Sequence, residues 1–262
     1  MNQVLPSIPG YAALLNDLRA NDAIVGVVLA GSHAKGLQND DSDVDLYLIV
    51  TDTTNDNMIT KIKDYYDETF YELRVDLSNK AIQRISDFYD YARMGSPYVW
   101  DRYNLVHTNI EVDKTDGQLA ECMQRKAMLS PDERDYIIES HLGDFVNLSY
   151  RTVWSVLKEK ELAARLDASE LLTHALHIMF ALEHRVRPYN KYLEWELETY
   201  PFAQKGWSLE EVTVLITAIQ AADRHALRRL YAQIETMTRA IGFDATYDAW
   251  GDKLRSISHD TL

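Results

Sequence analysis

The sequence predicts an α+β fold, an N-terminal mixed-sheet domain at residues 1–125 followed by a C-terminal α-helical bundle at residues 126–262. Three observations carry this expectation. Short β-branched runs separated by polar turns fill the first part of the chain. At Ser130-Pro131-Asp132-Glu133 the pattern changes to long stretches of helical period, opened by an N-cap serine, a proline at the first helical position and a capping-box glutamate. No internal repeat and no low-complexity segment interrupts either part.

Taken in order, residues 11–20 place apolar side chains at helical spacing. Ile24 to Ala30 is a β-branched run closed by Gly31, which reads as a buried strand. A polar segment from His33 to Ser42 leads into Val44 to Val50, a second strand with its acids at the entry end. Residues 58–65 read as a helix, Phe70 to Leu77 as a third, half-buried strand, and Lys80 to Arg93 as a further helix. Gly95-Ser96-Pro97 breaks the pattern, and Asn104 to Val112 reads as another short strand. The bundle helices are expected at 132–160, 168–185, 189–200, 208–221 and 223–241.

Composition narrows the function classes. With 46% hydrophobic and 26% charged residues, the 262-residue chain has ordinary globular proportions. Its single cysteine, Cys122, excludes a disulfide framework and a cysteine-based zinc site, and reads as a small interior side chain. Met1 to Pro6 shows no basic stretch followed by an apolar run, so no signal peptide is expected there. Nor does any apolar run reach bilayer-spanning length, and the expected location is the cytoplasm. A formal net charge of −14 argues against nucleic acid as partner and suits a cationic small molecule.

One constellation carries chemistry. Gly31-Ser32 ends the first strand, Asp43-Val44-Asp45 opens the second, and Asp76 lies in the third. Residues two apart on a strand face the same way, so Asp43 and Asp45 converge, and Asp76 reaches them from the neighbouring strand. Three carboxylates so close would repel one another without cations, and hard oxygen ligands of this kind suit Mg²⁺. Two such ions are the usual device for displacement at phosphorus, where catalysis is positioning plus charge. The glycine permits a tight turn whose amide groups approach a phosphate, with the Ser32 hydroxyl beside them and Lys35 near enough in sequence to add a cation. His33, next to Ser32, is either a phosphate contact or a packed loop residue. The pair His174 and His177, at i and i+3 without an evident third ligand, reads as interior. Trp100, Trp154, Trp195, Trp207 and Trp250 read as packing residues.

With Gly31-Ser32, Asp43-Val44-Asp45 and Asp76 in these positions, the sequence resembles the DNA polymerase β-like nucleotidyltransferase superfamily over roughly residues 20 to 80. The sheet-plus-bundle organisation is similar to that of the aminoglycoside and lincosamide nucleotidyltransferases. That resemblance implies transfer of a nucleoside monophosphate, AMP from ATP, to a hydroxyl of a small acceptor, with Asp43, Asp45 and Asp76 holding two Mg²⁺ ions. It also implies a general base, either Asp76 or an acid on the first bundle helix. There Asp144, Asn147 and Arg151 fall on one stripe at i, i+3 and i+7, offering Asp144 as the second candidate base and Arg151 as a nucleotide contact. The segment from His184 to Leu193 gathers cations and aromatics in an acidic chain, and its Tyr189-Asn190-Lys191-Tyr192 is similar to a Tyr-x-Lys-Tyr segment of bundle-type adenylyltransferases. It predicts Lys191 at the triphosphate, with Tyr189 or Tyr192 against base or ribose. Two other readings stay open: adenylylation of a partner protein, as in antitoxin-type members, and a non-catalytic nucleotide-binding module.

Overall fold

A computed structural model describes residues 9–77, 80–254 and 257, so the Met1–Pro6 stretch considered above lies outside the described residues. The chain divides into two compact units, 1–128 and 129–262.

The first unit runs α1 (Tyr11–Ala20), β1 (Ile24–Leu29), α2 (Gly31–Lys35), β2 (Val44–Val50), α3 (Asp56–Thr69), β3 (Val75–Asp76), β4 (Ile82–Arg84), α4 (Ile85–Asp90), β5 (Asn109–Asp113) and α5 (Gln118–Ala127). Its sheet is mixed. β1 pairs antiparallel with β2, in a register that sets Leu29 opposite Leu46, and antiparallel with β5 on its other edge. β3 and β4 follow one another along the far edge of β2, both parallel to it. Leu46, Leu48 and Val50 join Leu14, Leu18 and Val27 in one core cluster, whereas Tyr47 and Ile49 pack with Val28, Phe88 and Leu119 in another. Burial on both faces explains why β2 reads as a continuous apolar run. Asp45, two residues before Tyr47, therefore opens the Tyr47 face at the strand's entry end.

Three expectations in this unit are corrected. The Phe70–Leu77 strand shrinks to Val75–Asp76, because α3 continues to Thr69, Tyr71–Leu73 forms a 3₁₀ turn, and Arg74 adopts a left-handed φ of 47° that no extended strand accommodates. The helix expected from Lys80 to Arg93 instead begins as β4, whose residues find backbone partners on the open edge of β2, and only Ile85–Asp90 is helical. The strand expected from Asn104 starts at Asn109, with a 3₁₀ segment at Val99–Leu105 before it.

The second unit contains α6 (Pro131–Leu157), α7 (Glu161–Leu182), α8 (Leu193–Thr199), α9 (Leu209–Gln220), α10 (Arg224–Arg239) and α11 (Asp244–Asp248). Both halves of the capping box at the start of α6 are present, Glu133 N–H donating to Ser130 Oγ at 3.2 Å and Ser130 N–H to Glu133 Oε2 at 3.0 Å. α7 begins earlier than expected, immediately after a tight turn in which Glu159 takes a positive φ. Phe145, Leu171, Ile178, Phe180, Trp207 and Ile234 are buried in the interior. Trp154, by contrast, is 42% exposed, with Lys160 Nζ 4.8 Å from its ring centroid. Among the described residues no helix is long and apolar enough to cross a membrane.

Two predictions arise here. Gly143 sits within α6 with open space where a Cβ would project, so Gly143→Ala should stabilise the protein by about 0.5–1 kcal/mol, read as a higher chemical-denaturation midpoint. His141 of α6 joins the expected His174–His177 pair: its ring stacks on His177 with centroids 4.2 Å apart, and its Nδ1 lies 3.1 Å from that of His174. Burial, reinforced by the neighbouring imidazoles and Arg187, lowers the pKa of His141 to about 4 and that of His177 to about 3. In the unfolded chain these rings protonate near pH 6.5, so between pH 6.5 and 4 the unfolded state binds more protons and stability falls as pH falls. The melting temperature should drop between pH 7 and pH 5, and His177→Phe should reduce that drop.

Candidate active site

The site is built at the junction of β1, α2 and β2. Gly31 follows β1 with φ +63°, and the Ala30 N–H donates to the Asp45 carbonyl at 2.9 Å, locking the turn against the start of β2. A Cβ at position 31 would overlap the Asp45 carboxylate, 2.6 Å from its Cγ. Only glycine meets both demands, a left-handed backbone and close approach to an acid. On the other side Asp45 pairs in register with Asp76 of β3, and the Val44 N–H donates to the Arg74 carbonyl at 3.1 Å.

Gly31, Asp45 and Asp76 thus line one cavity of about 160 Å³, shared with Tyr47, Tyr91, Trp100, Asp101 and Asn104. Asp43 stands at the strand entry, where its half-exposed carboxylate is 3.8 Å from Arg74 Nε. Arg74 is anchored by donating through Nη2 to the Asp40 carbonyl at 2.7 Å. Ser32 occupies the first turn of α2. Lys35 is 4% exposed: its Nζ donates to the Gly31 carbonyl at 3.4 Å and lies 5.3 Å from the Tyr103 ring centroid, so its charge sits beneath the turn rather than in solvent. His33 is likewise buried, and among the described residues its Nδ1 has no hydrogen-bond partner.

The remaining expected residues belong to the second unit. Asp144 and Arg151 are exposed on α6, and Arg151 pairs with the buried Asp167 at 2.8 Å. Arg151 and Asp167 line a separate pocket of about 390 Å³ with Tyr150, Trp154 and Lys160. Lys191 is exposed, its Nζ 4.7 Å from the Tyr192 ring centroid, and Tyr189 immediately precedes its 3₁₀ turn. Nearby, Arg187 donates to Asn190 Oδ1 at 2.7 Å, and Arg185 is held between Phe180 and Phe202 while pairing with Glu196 at 2.6 Å.

Sequence reasoning missed part of the cavity. Trp100, expected as packing, is 61% exposed at its edge. Asp101 is buried there and accepts a 2.6 Å hydrogen bond from the Tyr91 hydroxyl. Burial raises the Tyr91 pKa, with Asp101 adding to it, and burial raises that of Tyr47 to about 12, so both phenols stay protonated donors. An acid between Trp100 and Arg102 is the one local signal, and it does not announce burial.

The donor set suits Mg²⁺. Asp45 and Asp76 offer hard carboxylate oxygens in one cavity, and Mg²⁺ takes one or two carboxylates and completes its shell with phosphate oxygens and water. Among the described residues no group of three or more acids, histidines or cysteines has already converged as a metal cage.

Residues 12–94 match the nucleotidyltransferase domain family. That segment contains the whole Gly31-Ser32, Asp43, Asp45 and Asp76 constellation, in line with the polymerase β-like superfamily. No curated protein matches the chain.

Proposed function

Starting from an enzyme of the nucleotidyltransferase class, we propose that it moves AMP from ATP to a hydroxyl of a small acceptor in a Mg²⁺-dependent reaction. The observation that carries this reading is the packing of Gly31 against the Asp45 carboxylate, with Asp76 in register beside it. Gly31, Asp45 and Asp76 line one cavity, which suits a turn set against phosphate beside a pair of hard acids.

In this reading the Gly31-Ser32 turn seats the triphosphate, with the Lys35 ammonium beneath it adding favourable charge. Asp43, Asp45 and Asp76 hold the divalent ions, which supply charge neutralisation at the phosphate oxygens. The acceptor oxygen forms a bond to the α-phosphorus as the bond to pyrophosphate breaks, and the acceptor proton passes to a carboxylate. Asp76 is the proposed base, with Asp144 the alternative from the helical unit. Arg151, Tyr189 and Lys191 are proposed to contact the nucleotide, Lys191 being exposed and available to a phosphate.

Incubation of the full chain with ATP, Mg²⁺ and a panel of aminoglycosides should release pyrophosphate only when an acceptor is present. Pyrophosphate release coupled to labelling of a protein instead would move the acceptor to a polypeptide. Removal of Mg²⁺ with a chelator should abolish turnover and be reversed by adding the ion back.

A further inference from the structure

The turn between α6 and α7 builds the pocket of about 390 Å³ in the helical unit, a size usual for small-molecule sites. Tyr150, Arg151 and Trp154 of α6, Lys160 of the turn and Asp167 of α7 line it. Tyr150 and Trp154 stand four residues apart on one helix and so share a face. Glu159 takes a left-handed φ of 56°, and the Lys160 N–H donates back to the Ser155 carbonyl at 2.9 Å. That return brings Lys160 Nζ to 4.8 Å from the Trp154 ring centroid. Across the pocket Asp167, 6% exposed, holds the Arg151 guanidinium at 2.8 Å.

A chain of net charge −14 thus sets two cations at one pocket whose only acidic lining residue, among the described residues, is Asp167. Asp167 is taken up by Arg151, yet a guanidinium carries five N–H donors, and the Arg151 side chain is 56% exposed. Among the described residues no acid pairs with Lys160. Trp154 leaves 42% of its surface in water, where covering an indole is favourable.

These features select one class of ligand. A cationic ligand meets Arg151 and Lys160, with the charge of Asp167 already neutralised. A purely apolar ligand removes water from both cations without replacing it. A flat ring bearing a carboxylate or phosphate meets every requirement. The ring covers Trp154, and the anion accepts charge-assisted hydrogen bonds from Arg151 and Lys160. The buried Asp167 fixes the guanidinium before the ligand arrives, which lowers the cost of ordering it.

We propose that this pocket binds a planar aromatic anion, its ring on Trp154 and its anionic group between Arg151 and Lys160. The assignment does not depend on the transfer reaction proposed above. A nucleoside monophosphate and an aromatic carboxylate share the required chemistry. With a nucleotide as ligand, Arg151 keeps the contact proposed for it above.

The test titrates the full chain by calorimetry with AMP and, separately, with naphthoate. A chelator is present throughout, so no divalent ion supports nucleotide binding through Asp43, Asp45 and Asp76. Adenosine lacks the anion and inorganic phosphate lacks the ring, and both should bind at least about tenfold more weakly than the better of the two ligands. Trp154→Ala and Lys160→Gln should each weaken that ligand about tenfold, whereas Trp154→Phe and Lys160→Arg should retain most of the affinity. Melting temperatures close to wild type show that the variants are folded. Binding of either ligand with this pattern supports the site, and the tighter of the two identifies its source. Binding of neither, or affinities unchanged in Trp154→Ala and Lys160→Gln, overturns the assignment. The transfer reading, which requires Mg²⁺, stands or falls separately.

Discussion

Asp45→Asn will lower turnover by about a thousandfold while leaving the protein folded. The side chain changes by one atom and keeps its volume, so the packing of Gly31 and the β2–β3 register survive. What disappears is a negative charge at the centre of the cavity that also holds Asp76. A metal-bound transition state draws several kcal/mol from charge stabilisation, and about 4 kcal/mol corresponds to about three powers of ten in rate. The effect should therefore appear in kcat and in the Mg²⁺ concentration needed for half-maximal rate. Thermal melting should change far less than turnover, because the amide keeps the shape of the carboxylate. A rate within tenfold of wild type at saturating Mg²⁺ would remove Asp45 from the reaction.

The second large effect concerns Gly31. Alanine there meets two penalties, a left-handed φ of 63° and overlap with the Asp45 carboxylate. The backbone penalty is about 1–3 kcal/mol. The overlap cannot be relieved without displacing Asp45, and about 1 Å of misplacement costs about a hundredfold in rate. Gly31→Ala should then lower both melting temperature and turnover, unlike Asp45→Asn, which should lower turnover alone. The opposite outcome expected for Gly143→Ala, an increase in stability, provides the control for the generic effect of a methyl group.

The contrast between those two glycines shows what the sequence makes legible. Gly31 closes a β-branched run and precedes a polar loop, a pattern with few physical explanations. β1, β2 and α6 were readable because each satisfies its own requirements: strands buried on both faces, and a helix with a capping box. Residues 70–93 were not. Their alternation and helical spacing are locally ambiguous, and the outcome is decided by pairing with the open edge of β2, a contact remote in sequence. Lys35 shows a related limit. A lysine in a polar segment reads as solvated or phosphate-bound, yet its stem is long enough to pack beneath its own turn and against Tyr103. Asp101 was invisible for the same reason in reverse, since the burial of an acid depends on elements brought together only by folding.

The acids and the turn that assemble the cavity come from a short stretch of chain, Gly31 to Asp76, whereas the residues that complete it come from Tyr91 to Asn104. Variants of Asp45 and Gly31 should act on turnover with any acceptor.

The most direct measurement follows the phosphate label. ATP labelled at the α-phosphorus and ATP labelled at the γ-phosphorus are incubated separately with the full chain, Mg²⁺ and the acceptor panel, using wild type and Asp45→Asn. Transfer of the α-label to an acceptor, with the γ-label recovered as pyrophosphate and both outcomes lost in Asp45→Asn, is the predicted result. Transfer of the γ-label, or α-labelling that persists undiminished in Asp45→Asn, would contradict a nucleotidyl-transfer site built on Asp45.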